Sequence, residues 1–502
     1  MAMNTTQRRW IPWLLILAAL LLLMIVLLVS GVFDPLAKYD QAWDYTPVFE
    51  RAACQFDVPP GYVVDCGYLT VPEDRSQSEA TTIRLHFAVF KSTGLDPAPD
   101  PVIHLYGGPG GSLLDNVAFY MQAGGDEILQ KRDYVMFNQR GTRYADPFLD
   151  CPGSAELAWE AAREGLNFAE RDAKSIEFMR ACQQEFLNQG VNLAAYNSVE
   201  NAADVRDLSL VLGYEQVNLY GVSYGARLAL TVMRDHPDIV RSAIIDSGYP
   251  TQVYINNEFA LSAARAFDLI FDSCEADFDC RTTYPDLETT FYRVVDTLNA
   301  DPVRVSLSQG TVFIDGDNII DLTFGSLYTF YGSDGVTWIP HMITIADQGN
   351  LSYLTQAFEV MFAEDDFSEG MYYSVICREE VPEGSYENAR ALAADLPSQI
   401  RDHYVSPSMF AICEAWASGG ISPDSKQPIY SSIPTLVLTG QYDPITPPPY
   451  NQLVASTLSD SFFYEIPGIG HGAMRGSECA LEIGLQFLDD PTIEPDDSCI
   501  IE

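Results

Sequence analysis

The stretch Val217-Asn218-Leu219-Tyr220-Gly221-Val222-Ser223-Tyr224-Gly225 decides the fold. An apolar strand runs into Gly-x-Ser-x-Gly, and Ala226-Arg227-Leu228-Ala229-Leu230-Thr231-Val232-Met233 then continues with helical spacing. A strand that turns this sharply into a helix is a nucleophile elbow. The turn forces the serine into a strained backbone that only small neighbours tolerate, and in return its hydroxyl stands exposed above the sheet. The N–H of the next residue, Tyr224, points at the carbonyl under attack.

Strands and helices alternate around this elbow. Strand patterns cover residues 82–91, 101–106, 133–137, 240–245, 434–438 and 462–466, and helical spacing covers 197–212. The alternation predicts an α/β fold with a mainly parallel sheet and helices on both faces. Between about 252 and 430 the rhythm breaks, Tyr and Phe become frequent, and helices are expected at 257–274 and 386–394. An insertion of that size between late strands reads as a cap over the carboxyl ends of the strands, where such sheets bind ligands. The chain therefore divides into an N-terminal segment (1–33), a lead-in (34–60), a first core part (61–251), the cap insertion (252–430) and a C-terminal core part (431–502).

A serine nucleophile needs a base and an acid that orients it, and in this architecture they follow in the order Ser, Asp, His. Strand 434–438 leads into Thr439-Gly440-Gln441-Tyr442-Asp443-Pro444, and strand 462–466 into Pro467-Gly468-Ile469-Gly470-His471-Gly472. Both lie in loops at strand ends. His471 is the candidate base and Asp443 the candidate acid that fixes its tautomer. Asp246, also just past a strand, is the competing carboxylate; chain order and loop setting favour Asp443. The second oxyanion donor must come from an earlier loop, and Gly107-Gly108-Pro109-Gly110-Gly111 fits, with the Gly108 N–H as donor beside that of Tyr224.

Arg8 and Arg9 precede an apolar run over residues 10–33, and Asp34, Asp40 and Asp44 follow it. The run is long enough to span a bilayer, and the charge order predicts the body outside the cytoplasm, anchored by an uncleaved signal segment or secreted after cleavage. With 28 Lys+Arg against 70 Asp+Glu, the net charge of −42 excludes nucleic acid as a partner. Ten cysteines in an exported chain imply disulfides. Neighbour pairing is the simplest scheme: Cys54–Cys66, Cys151–Cys182, Cys274–Cys280, Cys377–Cys413 and Cys479–Cys499. Six His and no Cys-x-x-Cys give no metal site, and no cofactor is expected.

Gly107-Gly108-Pro109-Gly110-Gly111-Ser112, Asn138-Gln139-Arg140-Gly141-Thr142, the elbow, Thr439-Gly440-x-x-Asp443 and Gly470-His471-Gly472 together resemble the α/β-hydrolase serine aminopeptidases, which include proline iminopeptidase and tripeptidyl aminopeptidase. Cys66-Gly67-Tyr68-Leu69-Thr70-Val71-Pro72-Glu73-Asp74 leans toward the exported tripeptidyl branch, while Tyr106, Asn138 and Arg143 depart from the proline iminopeptidase pattern. The resemblance implies an α/β-hydrolase fold and an exopeptidase that takes peptides with a free N-terminus. It also implies an anion for the substrate ammonium, for which Glu379 and Glu380 are candidates. A membrane-anchored esterase or lipase with the same triad, and a catalytically silent binding module, are the alternative functions.

Overall fold

Nine strands share one sheet in the computed structural model, which describes residues 45–77, 80–328, 333–362, 367–382, 385–416, 419–420 and 423–500. They are β1 (Val48–Arg51), β2 (Val64–Pro72), β3 (Thr82–Phe90), β4 (Val102–Leu105), β5 (Tyr134–Phe137), β6 (Val217–Val222) and β7 (Val240–Asp246). A separate hairpin of β8 (Val303–Leu307) and β9 (Gly310–Ile314) intervenes before β10 (Thr435–Gly440) and β11 (Ser461–Ile466) complete the sheet. The order is β1-β2-β3-β5-β4-β6-β7-β10-β11. The first three strands, and the β3–β5 pairing, are antiparallel. Every pairing from β5 onward is parallel. This is the α/β-hydrolase fold, with an antiparallel start and a parallel main body. β1 lies inside the stretch read from sequence as lead-in; the pairing Val48↔Thr70 ties it to β2.

Successive strand residues point to opposite faces, so a strand covered on both sides must be apolar throughout. Leu219, Ile245 and Val437 pack on one face against Val205, Leu208, Leu228 and Val232. These come from the helices Ser198–Leu212 and Tyr224–Asp235. Their chain neighbours Tyr220, Ile244 and Leu438 pack on the other face against Met121, Leu129, Ile483 and Phe487. Such double burial sets the register, because a shift of one residue would exchange the two faces.

The helices Ile255–Ala276, Leu287–Ala300, Gly316–Tyr328, Glu369–Glu379, Ser398–Tyr404 and Pro407–Trp416 lie between β7 and β10. This helical insertion has a second source that the sequence pattern does not reveal. Between β5 and β6 the helices Ser154–Glu164 and Phe168–Asn188 join it. Trp159 packs with Phe267, Phe291 and Phe358. Met179 and Phe186 pack with Met371, Val375 and Trp416. Five disulfides follow neighbour pairing along the chain: Cys54–Cys66, Cys151–Cys182, Cys274–Cys280, Cys377–Cys413 and Cys479–Cys499. The apolar run at 10–33, read as a signal anchor, lies outside the described residues. Among those described, no helix is long and apolar enough to cross a membrane.

Candidate active site

Ser223 sits between β6 and the helix Tyr224–Asp235 with φ 59° and ψ −123°. An L-residue adopts this backbone only under tight constraint. The two glycines supply the room. A Cβ on Gly221 would lie 2.4 Å from the Gly225 carbonyl oxygen, and one on Gly225 would lie 1.8 Å from the Leu105 oxygen. The Ser223 N–H donates to the Asp246 carbonyl at 3.1 Å, which fixes the turn against β7. Tyr224 is the first residue of its helix, so its N–H has no acceptor within that helix. The Gly107–Ser112 loop closes over this point: a Cβ on Gly107 would meet that of Ser223 at 2.9 Å. The next residue, Gly108, has φ +116° and faces the Phe367 ring of the β7–β10 insertion.

The Asn138–Thr142 motif holds that loop in place. Gln139 Nε2 donates to the Tyr106 carbonyl at 2.8 Å. Asn138 accepts the Leu114 N–H at 3.0 Å and donates to Ser112 Oγ at 2.8 Å. Arg140 is fully buried and fork-bonded to Asp204 at 2.7 and 2.8 Å, so it pins the sheet to the helix Ser198–Leu212.

The ends of β10 and β11 bring two side chains together. His471 Nδ1 lies 2.9 Å from Asp443 Oδ2. The same oxygen accepts the Thr446 hydroxyl at 2.7 Å, while Oδ1 accepts the N–H groups of Ile445 at 3.0 Å and Thr446 at 2.8 Å. Burial alone would push the Asp443 carboxyl up, but His471 and these donors outweigh it and hold the group below its ordinary value. A carboxylate against Nδ1 keeps the proton there and leaves the lone pair on Nε2. That Nε2 is buried and has no hydrogen-bond partner among the described residues.

The glycines of these loops also answer to close approach. A Cβ on Gly440 would lie 1.9 Å from the Gly470 carbonyl oxygen, and one on Gly470 would lie 2.1 Å from that of Leu327. Asp246 is engaged elsewhere: it accepts the N–H groups of Ala473 at 2.7 Å and Met474 at 2.9 Å. Burial raises its carboxyl above the ordinary value despite those two donors. Ser247 Oγ accepts the Gly472 N–H at 2.8 Å. The end of β7 thus clasps the segment that follows His471.

Sequence reasoning missed two contributors. Thr446 bridges Asp443 to the Ser247 carbonyl, 2.7 Å away; the Asp-x-x-Thr spacing ahead of three prolines was the available signal. Tyr328, from the β7–β10 insertion, stacks on the His471 ring with centroids 4.7 Å apart and planes 15° apart. No local pattern announces that contact.

Glu379 and Glu380 lie beside the helix behind the elbow, and both are buried. Glu379 accepts the Ser198 N–H at 2.7 Å and pairs with Arg227 at 3.0 Å. Glu380 pairs with Arg227 at 2.7 Å and with Lys426 at 3.0 Å. Two cations against two anions leave the cluster without net charge, so the carboxylates that the sequence offers for a substrate ammonium are already engaged by Arg227 and Lys426. Burial pulls Lys426 down to about 8 and pushes Glu380 up. Lys426 Nζ also donates to the Val253 carbonyl at 2.8 Å and lies 4.2 Å from the centre of the Tyr254 ring. Among the described residues, no group of three or more His, Cys, Asp or Glu is gathered to hold a metal ion.

Two family models match. One described as alpha/beta hydrolase fold covers residues 100–297, and one described as TAP-like protein covers 398–499. Serine protease Hip1 of Mycobacterium tuberculosis is 23% identical over an alignment of 494 positions that covers 91% of each chain. Tripeptidyl aminopeptidase of Streptomyces lividans is 27% identical over 207 residues, 40% of this chain and 37% of its own. Among solved structures, a thermophilic esterase from Thermogutta terrifontis aligns with a TM-score of 0.37 at 16% identity, over 85% of this chain and 99% of that one.

Proposed function

Because this chain is a serine hydrolase of the α/β family with peptidase relatives, we propose that it removes N-terminal residues, prolyl or tripeptidyl units, from peptides with a free N-terminus. Ser223 attacks the scissile carbonyl. His471 Nε2 takes the hydroxyl proton and later returns it to the leaving amine, while Asp443 holds the tautomer and stabilises the imidazolium. The N–H groups of Gly108 and Tyr224 receive the oxyanion. Water then repeats the sequence on the acyl-enzyme. One observation carries this reading: a buried imidazole is held on one nitrogen by a carboxylate, its other nitrogen has no hydrogen-bond partner among the described residues, and Ser223 has the elbow conformation.

In this proposal Glu379 and Glu380 meet the substrate ammonium. The support is that their corner already holds an ammonium, that of Lys426, against a carboxylate, a carbonyl and an aromatic face. Binding of the substrate amine there requires Lys426 to give up its place beside Glu380. The proposal also includes export, with the run at 10–33 as membrane anchor; the disulfides and the charges flanking the run support it.

The test is a pair of peptides that differ only in N-terminal acetylation. The free amine should be preferred by roughly 2–5 kcal/mol in kcat/KM, the range for losing one partner of a buried charge pair. Glu380→Gln should remove much of that preference while fluorophosphonate still labels Ser223. Equal cleavage of both peptides, or hydrolysis of esters alone, would replace the aminopeptidase reading with an esterase. A reporter fused after Glu502 that is active in the cytoplasm would refute export.

A further inference from the structure

The helix Gly316–Tyr328 reaches from the cap to the His471 loop. The His471 N–H donates to the Leu327 carbonyl at 2.9 Å, so the base is hydrogen-bonded to the cap through its own backbone. Gly470 makes this possible, since any side chain there would strike the same carbonyl. One residue on, the Tyr328 ring lies almost parallel to the imidazole. Phe324 stacks on Tyr328 at 5.9 Å and 20°, and Phe259 and Tyr404 flank Phe324 at 5.4 and 5.8 Å. At its far end the helix is anchored by ion pairs, Asp317 to Arg171 at 2.9 Å and Asp321 to His403 at 2.9 Å.

We infer that Tyr328 is a positioning residue for His471, so that the cap completes the catalytic machinery as well as covering it. This rests on the assignment of His471 as the base. The stacked face confines the imidazole to the plane in which Nδ1 meets Asp443. It also presents a π cloud to a ring that becomes a cation as it takes the serine proton, and a cation over an aromatic face is stabilised. Among the described residues, the other ionisable groups facing His471 are Asp443, Asp246 and Arg475. All three stay in place when Tyr328 is changed. The phenol hydroxyl has no part in this role; the ring face has all of it.

The test compares Tyr328→Phe with Tyr328→Leu in the full chain, with unchanged thermal melting as the control for folding. The first readout is the rate of fluorophosphonate labelling of Ser223, which does not depend on the identity of the substrate. The second is the division of the effect between kcat and KM. Tyr328→Phe should match the parent. Tyr328→Leu should label about tenfold more slowly. Loss in kcat with KM unchanged is the expected division. Three results would overturn the inference: a Leu variant with parental labelling, a Phe variant as damaged as Leu, or a change confined to KM. A parent protein that fluorophosphonate does not label, or that labels equally as Ser223→Ala, would overturn the serine mechanism itself and this inference with it.

Discussion

Replacing Asp443 by asparagine alters one atom in a fully enclosed site, where the surrounding donors and acceptors leave the new side chain a single orientation. Oδ1 accepts two backbone N–H groups, from Ile445 and Thr446. An asparagine must therefore put its oxygen there, since its NH2 would face two donors. The NH2 then occupies the place of Oδ2, against the Thr446 hydroxyl and His471 Nδ1. Thr446 can turn its proton to the Ser247 carbonyl, which already lies 2.7 Å away. His471 has no such freedom. Facing a donor, Nδ1 becomes the acceptor, the ring proton moves to Nε2, and Nε2 can no longer take the proton of Ser223. Turnover should fall on the order of 10⁴, about 5.5 kcal/mol of transition-state stabilisation. Stability should fall by only about 1–3 kcal/mol, the cost of one charged hydrogen bond. Peptide turnover together with denaturant unfolding separates the two effects. Asp246→Asn is the control: it loosens the grip on Ala473 and Met474 and should cost far less in turnover. Activity of Asp443→Asn within tenfold of the parent, or greater damage from Asp246→Asn, would refute the assignment of the acid.

Gly225→Ala would drive a methyl into the Leu105 carbonyl and should destabilise the protein by about 3 kcal/mol or more, read as loss of folded yield or an early denaturant midpoint. Burial alone would lower His403, but Asp321 and Asp317 raise it from 6.5 to about 10. Its stabilisation is therefore complete below about 6.5 and is lost as pH rises toward 10. Tm should decline over that window, and His403→Gln should flatten the decline. Replacing both Cys377 and Cys413 with serine frees a loop of sequence separation 36 and should lower stability by about 2–4 kcal/mol in a denaturant titration. The unreduced parent should show no alkylatable thiol among the ten cysteines.

The parallel body was legible because β6, β7 and β10 are apolar on both faces and each ends in a loop rich in glycine or small polar residues. Ser223 and Asp443 follow such strands and His471 follows the neighbouring parallel β11, so the sheet order brings their loops to one edge. The antiparallel start was harder to read. Val48-Phe49-Glu50-Arg51 is four residues long and exposed throughout, and it becomes a strand only by pairing with β2. The Asn138–Thr142 motif could be recognised but not interpreted, since its work lies in contacts to Tyr106, Ser112 and Asp204 far along the chain. The state of Glu379 and Glu380 depends on Arg227, more than 150 residues away, and Lys426, more than 40 away, and no spacing rule links them. Tyr328 belongs to the same class, a side chain given its place by tertiary packing.

The origin of the helical layer in two separate stretches of chain bears on how such a protein can be re-engineered. Trp159 and Phe267, or Met179 and Trp416, are halves of shared interiors, although one partner of each pair departs from the sheet after β5 and the other after β7. A graft of the later insertion alone, taken from a relative, would set a foreign surface against a resident one and leave voids or collisions along the whole seam. The end of its helix Gly316–Tyr328 would also have to find the His471 loop within a few tenths of an ångström. The two segments are therefore transferable only as a two-part module: chimeras that move both together, with the loops they touch, should fold, and those that split the pair should not.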